Sequence, residues 1–511
     1  MKTCGLSCSV HTFFHLFTQL CRNVGAKGMK MGTGWWPIVT NCRQMNRKTL
    51  LAALALLLFL LTCFPGTSKL YAANANGKML IVRAGDSIQK AINEAERDAT
   101  ITVQEGSYHE QLVINKPLKL QAANNAKVIL SGNHQGHVIT ITASGVSLSG
   151  FQINQSGNKK QDAGIYIASS DNLIVSNTLS RVQNGIYVNK GHGNQIENNT
   201  ITSNNNRISK RGNGIHLFYG SGNVVRGNDI YNVQDGIYID FAADSTLSGN
   251  TISDSRYAIH LMFGKGGLVS GNQFTYNING MMVMSSSSFR IEQNIMQKQL
   301  DYRGYGALLY NTDRITMWGN RIMDNSNGLG LEDARDSMIA DNVIAGNHLG
   351  LSLLKGNTGT TLSGNQFIGN VVQARSLDDK QAIDDGTSGN YWDDYSSFDL
   401  TGDGIGELPY YASSIYDKLL PKQPQLQFYF ESPAIQLWNA VNRMLPATST
   451  VSGADRFPLT QRPVPQPIAD GTAQAGLEGE LPADNRQLIG IAGCLFLIGG
   501  IFILAQGRIQ K

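Results

Sequence analysis

The chain has 511 residues, 42 Lys and Arg against 38 Asp and Glu, and a formal net charge of +4, too small an excess to argue for a nucleic-acid partner. Its six cysteines are Cys4, Cys8, Cys21, Cys42, Cys63 and Cys494. Five fall in an N-terminal leader and one in a C-terminal apolar run, so the body between them has neither a disulfide nor a thiolate ligand.

Residues 1–75 read as a leader with a secretory signal. Arg47 and Lys48 precede the apolar run Leu50 to Leu61, Pro65 and Gly66 follow it, and Ala73-Asn74-Ala75 offers a small-residue cleavage site. The run is too short to favour a spanning helix. Residues 76–130 read as an N-terminal cap with the first coils. Here Asp86-Ser87-Ile88-Gln89-Lys90-Ala91-Ile92 begins an amphipathic helix with good capping residues, and Gly106-Ser107-Tyr108 follows the next strand.

Residues 131–372 repeat. An Asn-x-apolar unit recurs with its Asn at 177, 199, 228, 250, 272, 294, 320, 342 and 365, most often 22 residues apart. A small residue followed by a short apolar strand keeps step, at Gly164, Gly185, Gly214, Gly236, Ala258, Gly280, Gly306, Gly328 and Gly350. A repeat of this period means a solenoid. The β-branched runs, the Gly and Asn punctuation and the absence of a helical apolar period exclude helix-based repeats. The leucine framework of leucine-rich repeats is also missing. The expected fold is all-β, a right-handed parallel β-helix, with Asn at the corners because it tolerates left-handed backbone and can stack amide on amide.

Residues 373–412 are rich in Asp, Gly and aromatics. Residues 413–486 read as a C-terminal extension and linker. Residues 487–506 contain an uncharged run, Leu488 to Ala505, followed by Arg508 and Lys511, as expected of one transmembrane helix with its C-terminus inside. The body is then extracytoplasmic, in the periplasm or at the cell surface, and tethered to the cytoplasmic membrane.

Strand alternation assigns faces. After each small residue the first and third positions are apolar, as in Ile259/Leu261 and Met281/Val283, and point inward. The second positions, reading Tyr166, Tyr187, His216, Tyr238, His260, Met282 and Leu308, then point outward. So do the fourth, among them Phe218, Asp240, Met262, Met284 and Tyr310. With coils about 4.8 Å apart, His260, Met262, Met282 and Met284 form one outward patch, with His216 two coils away. Imidazole and thioether without thiolate favour a soft cation such as Cu(I), bound transiently. Methionine is also a common gap-filler, so packing is the competing reading.

Two insertions, between Asn199 and Gly214 and between Asn294 and Gly306, leave the corner before this strand and bracket the patch. They carry Arg207, Lys210 and Arg211, and then Tyr302, Arg303 and Tyr305, as candidate partner-binding residues; tolerated insertion is the plain alternative. Asp399, Thr401 and Asp403 with Gly404 imitate the start of a calcium loop, but the twelfth position is Tyr410 rather than Glu. A turn packed by Trp392 is the competing reading.

The coils, the segment Arg256-Tyr257-Ala258-Ile259-His260-Leu261-Met262-Phe263, and the stretch from Asn390-Tyr391-Trp392 to Leu408-Pro409-Tyr410 resemble the NosD family. So do Ser432-Pro433-Ala434 to Arg443-Met444-Leu445-Pro446 and the later Asp455-Arg456-Phe457-Pro458. The N-terminal cap resembles the opening of pectin-lyase-like β-helix proteins. The NosD resemblance implies an accessory role in maturing the copper centres of nitrous-oxide reductase. The implied partners are an ABC transporter (ATPase and membrane subunits) and a copper-chaperone lipoprotein. A C-terminal transmembrane helix departs from relatives that are soluble in the periplasm. The rival readings are a carbohydrate-degrading β-helix and a glycan-binding module using Tyr166, Tyr187, Tyr238 and Phe218. The chain has no nucleotide-binding loop of its own, so ATP use belongs to a partner.

Overall fold

A computed structural model of the chain describes residues 79–203, 207–377, 381–412 and 453–463. They wind as a parallel β-solenoid of three sheets with 13, 12 and 13 strands. Each strand pairs in parallel with its counterparts one coil away. In the 12-stranded sheet Ile186, Ile215, Ile237, Ile259, Met281 and Ala307 lie in one register column. The first strand is Met79–Val82 and the last solenoid strand is Tyr391–Trp392.

Alternation places the core as expected. Ile237, Ile239, Ile259, Leu261, Met281 and Val283 are fully buried inside the coils. Each such side chain contributes about 1.5–3 kcal/mol of burial. The small residue before each of these strands is required by backbone approach. A Cβ on Gly185 would lie 2.4 Å from the Gly214 carbonyl oxygen, and one on Gly214 2.6 Å from that of Gly236.

The asparagines stack as expected, and their corner geometry differs from expectation. The side chains of Asn177, Asn199, Asn228, Asn250, Asn272, Asn294, Asn320, Asn342, Asn365 and Asn390 form one ladder, each Nδ2 donating to the Oδ1 of the next. The left-handed residue is the one before the ladder position: Asn198 at φ 53°, Gly227 at 63°, Gly249 at 61°, Gly271 at 62°. The ladder Asn must aim its amide into the coil, so the reversal of the chain falls to its predecessor.

Both ends of the described solenoid are covered. The helix Ile88–Glu94 buries Ile88 and Ile92 against the first coils. Its N-terminus is capped by Ser87 and by the Glu110 carboxylate, which accepts from the Ile88 and Gln89 amides. At the other end Trp392 stacks between Phe367 and Tyr410, with centroids 4.1 and 4.2 Å away. Asp455 closes the Asn ladder there: its Oδ2 accepts from Asn390 N at 2.8 Å, Asn390 Nδ2 at 3.2 Å and Trp392 Nε1 at 2.9 Å. Arg456 beside it pairs with Asp384. The motif Asp455-Arg456-Phe457-Pro458 is therefore an end-cap element. The signal peptide, the Ser432 to Pro446 segment and the 487–506 span lie outside the described residues. Among the described residues no helix is long and apolar enough to cross a membrane.

Candidate functional site

The expected patch assembles on the outer face of the 12-stranded sheet. Strands Asp235–Asp240, Tyr257–Met262 and Asn279–Met284 run side by side. Their register sets Tyr238, His260 and Met282 in one column and Asp240, Met262 and Met284 in the next. His260, Met262, Met282 and Met284 are thus neighbours on two adjacent coils. His216 heads the first column one coil further back, and the Tyr238 ring stands between it and His260. The structure brings the four together and leaves His216 apart.

Outward does not mean bathed in solvent. His260 is only 7 % exposed and His216 8 %. The cover is a continuous ring stack, His137, Tyr166, Tyr187, His216, Tyr238 and His260, with centroid spacings of 4.2, 5.6, 4.6, 4.6 and 4.6 Å. Burial pushes the imidazoles of His137 and His216 down, against the pull of Asp162 and Asp240, so both are held neutral. Burial also pushes the Tyr187 phenol up to about 12. Of the rings proposed as a glycan stripe, Tyr187 is buried, whereas Tyr166, Phe218 and Tyr238 are partly exposed.

His260 sits in a polar clamp. Its Nδ1 lies 3.0 Å from Asp235 Oδ2, and Arg256 holds the same carboxylate with Nε–Oδ1 2.8 Å and Nη2–Oδ2 2.6 Å. Burial alone would raise the Asp235 pKa; the His260 and Arg256 hydrogen bonds outweigh it and hold the carboxyl below its usual range. His260 Nε2 is buried with no hydrogen-bond partner among the described residues, as is His216 Nε2. The latter lies 3.8 Å from Asp240 Oδ2, beyond hydrogen-bond reach. Leaving a buried imidazole nitrogen unpaired costs about 1–3 kcal/mol, which points to a use for it. Met262 Sδ accepts from the Tyr238 hydroxyl at 3.3 Å, so one thioether of the patch is held in place.

Asp235 and Arg256 carry only a faint sequence signal. Asp235 precedes Gly236 in a column where Asn184, Asn213, Asn279 and Asn327 occupy the same place, so a carboxylate there breaks the pattern. Tyr219, Phe241 and Phe263 form a rib of exposed rings that strand alternation does not reveal. They stack at 5.1 and 4.6 Å on the corner after the strand, at φ 55°, 57° and 54°.

The loop residues are placed as follows. Ile208–Lys210 is a short 3-10 turn, and Arg211 Nη1 donates to the Asp254 carbonyl. Tyr302 is 76 % exposed with the Arg303 guanidinium 4.9 Å from its ring centroid. Tyr305 is the first residue of the strand Tyr305–Asp313 rather than part of the loop. In the Asp/Gly segment the Asp399 carboxylate accepts from the Gly402 and Gly404 amides and Asp403 from Ile405, the pattern of a tight turn, with Thr401 between them. Among the described residues no three His, Cys, Asp or Glu side chains gather as a metal cage.

A solenoid that presents imidazole and thioether donors on one rigid strand face is a scaffold suited to soft metal ions. The chain is similar to the NosD family. The family model described as periplasmic copper-binding protein (NosD) matches residues 203–397, which includes the whole patch. The chain is 29 % identical over 394 residues to "Probable ABC transporter binding protein NosD" of Pseudomonas aeruginosa, covering 73 % of this chain and 91 % of that protein. It is 30 % identical over 182 residues to the protein of the same description from Stutzerimonas stutzeri, 32 % and 41 % of the respective lengths. Among solved structures the A-module of Azotobacter vinelandii mannuronan C-5 epimerase AlgE6 aligns at 14 % identity and TM-score 0.47, over 55 % of this chain and 88 % of that one. A likeness at that level carries no functional inference.

Proposed function

We propose that this protein is a non-catalytic accessory factor that receives and passes on Cu(I) outside the cytoplasm, for assembly of the copper centres of nitrous-oxide reductase. Copper is its cargo. His260, Met262, Met282 and Met284 are the donors: one imidazole and three thioethers suit a soft monovalent ion and leave it exchangeable. The observation that carries this reading is the buried, unpartnered His260 Nε2 in a column directly beside Met282. The partners are an ABC transporter, through its ATPase and membrane subunits, and a copper-chaperone lipoprotein. Arg207, Lys210, Arg211, Tyr302, Arg303 and Tyr305 flank the patch as contact residues for them. The relatives' description as ABC transporter binding proteins supports the first of these. A tether formed by 487–506 keeps the body at the cytoplasmic membrane.

The test is genetic and chemical together. In a denitrifying host lacking this gene, nitrous-oxide reductase is expected to accumulate with reduced copper content. The wild-type gene should restore it, and a gene carrying H260Q with M282L should not. Full copper loading in the deletion strain would sink the proposal.

A further inference from the structure

His260 and its thioether neighbours account for the donors, but not for how the imidazole is made to present the correct nitrogen. A neutral imidazole has one N–H and one lone pair, and which nitrogen carries which is decided by the partner of the other. Asp235, buried at 1 % exposure, has its Oδ2 3.0 Å from His260 Nδ1. An ionised carboxylate can only accept, so Nδ1 must donate, and in the neutral ring the lone pair is then on Nε2.

The carboxylate is itself fixed. Arg256 grips both of its oxygens in a fork, and the guanidinium lies 4.4 Å over the Tyr257 ring. The imidazole plane is set by Tyr238, stacked at 4.6 Å, and by Tyr257, edge-on at 5.1 Å. The contrast with His216 is informative. It occupies the same column and is stacked on the other face of Tyr238, yet no carboxylate hydrogen-bonds its ring among the described residues: Asp240 Oδ2 lies 3.8 Å from Nε2, and Asp235 acts on it only at longer range. The clamp belongs to His260 alone of the two.

We infer that Asp235, clamped by Arg256, is a positioning residue that holds His260 as the Nδ1–H tautomer and so leaves a bare Nε2 that would serve as the imidazole donor to copper. This rests on the copper reading above. Carboxylate–histidine–metal relays of this kind orient the ring and raise its basicity, and losing the outer carboxylate weakens metal binding ten- to a hundredfold. The same geometry gives Arg256, in a segment that the sequence alone marks only as family-like, a defined task.

Two measurements on the purified protein test this. Histidine-selective 15N NMR of the copper-free wild type is expected to show His260 protonated at Nδ1 and bare at Nε2. Anaerobic Cu(I) competition titrations are expected to show D235N ten- to a hundredfold weaker than wild type, with R256Q intermediate. In an H260Q background D235N should cause no further loss, because Asp235 acts only through His260. An Nε2–H tautomer in the wild type, unchanged binding by D235N, or an equal loss in both backgrounds would overturn the inference while leaving the copper reading standing. Absence of Cu(I) binding by the wild type would overturn both. Should D235N fail to fold, the wild-type tautomer and R256Q still decide.

Discussion

His260 and His216 share a register column, a ring stack and near-complete burial, and differ in what surrounds their nitrogens. His260 has a clamped carboxylate on Nδ1 and Met282 on the next coil. His216 has Tyr187 and Tyr238 as its column neighbours, and no thioether within one coil of it in either column. The two histidines should therefore separate in a Cu(I) titration. H260Q is expected to lose at least about tenfold in affinity, or about 1.4 kcal/mol, and H216Q to stay near the wild-type value. Equal losses would mean that copper reaches both sites, or that the ring stack as a whole is what the mutations disturb. Sequence reasoning placed His260, Met262, Met282 and Met284 side by side because strand alternation is a period-2 rule that needs only the register. It missed Asp235, because the side chain that orients a ligand comes from the previous coil's strand start, 25 residues away.

Among the elements, the Asn ladder and the end cap hold the strand face rigid. Asn272 accepts from Asn250 N and Nδ2, and donates to the Leu247 carbonyl and to Asn294. N272A strips these four bonds in a fully buried site, with an expected cost of about 2–4 kcal/mol in urea unfolding. An unchanged midpoint would mean that the ladder is incidental to stability. The ladder ends on Asp455, whose carboxyl burial pushes up to about 6 against the N–H bonds from Trp392, Asn390 and Phe457. With the folded value above the unfolded 3.8, the unfolded chain releases its proton first as pH rises. Stability from this group is thus greatest below the lower value, falls between the two, and is level above about 6. Hydrogen exchange at the Trp392 indole, corrected for intrinsic rate, should accordingly show more protection at pH 5 than at pH 7. A D455N protein should lose that dependence. The opposite trend would mean that the N–H donors dominate and the carboxylate is ionised throughout.

At the scale of the whole molecule, the coil period and the column of outward residues were legible in the sequence because a solenoid makes neighbours of residues one repeat apart. The resemblance segments were legible too, but not their roles: Asp455-Arg456-Phe457-Pro458 turned out to be packed end-cap chemistry, reached over 65 residues from Asn390. The burial of His216 and His260 was not legible, since it depends on the Tyr238 ring stacking between them and on Tyr187 meeting His216 edge-on. The proposed copper role places a half-covered His/Met patch on this β-scaffold. The most direct test is an anaerobic Cu(I) competition titration of the wild-type protein beside M262L/M282L/M284L, with thermal unfolding of both. Tight binding in the wild type, lost in the triple variant, is predicted. Met-to-Leu changes conserve volume, so the stability cost should stay below about 1.5 kcal/mol at each site. A wild-type protein that does not bind Cu(I), or a triple variant that binds it equally well, would contradict the assignment of this face to copper.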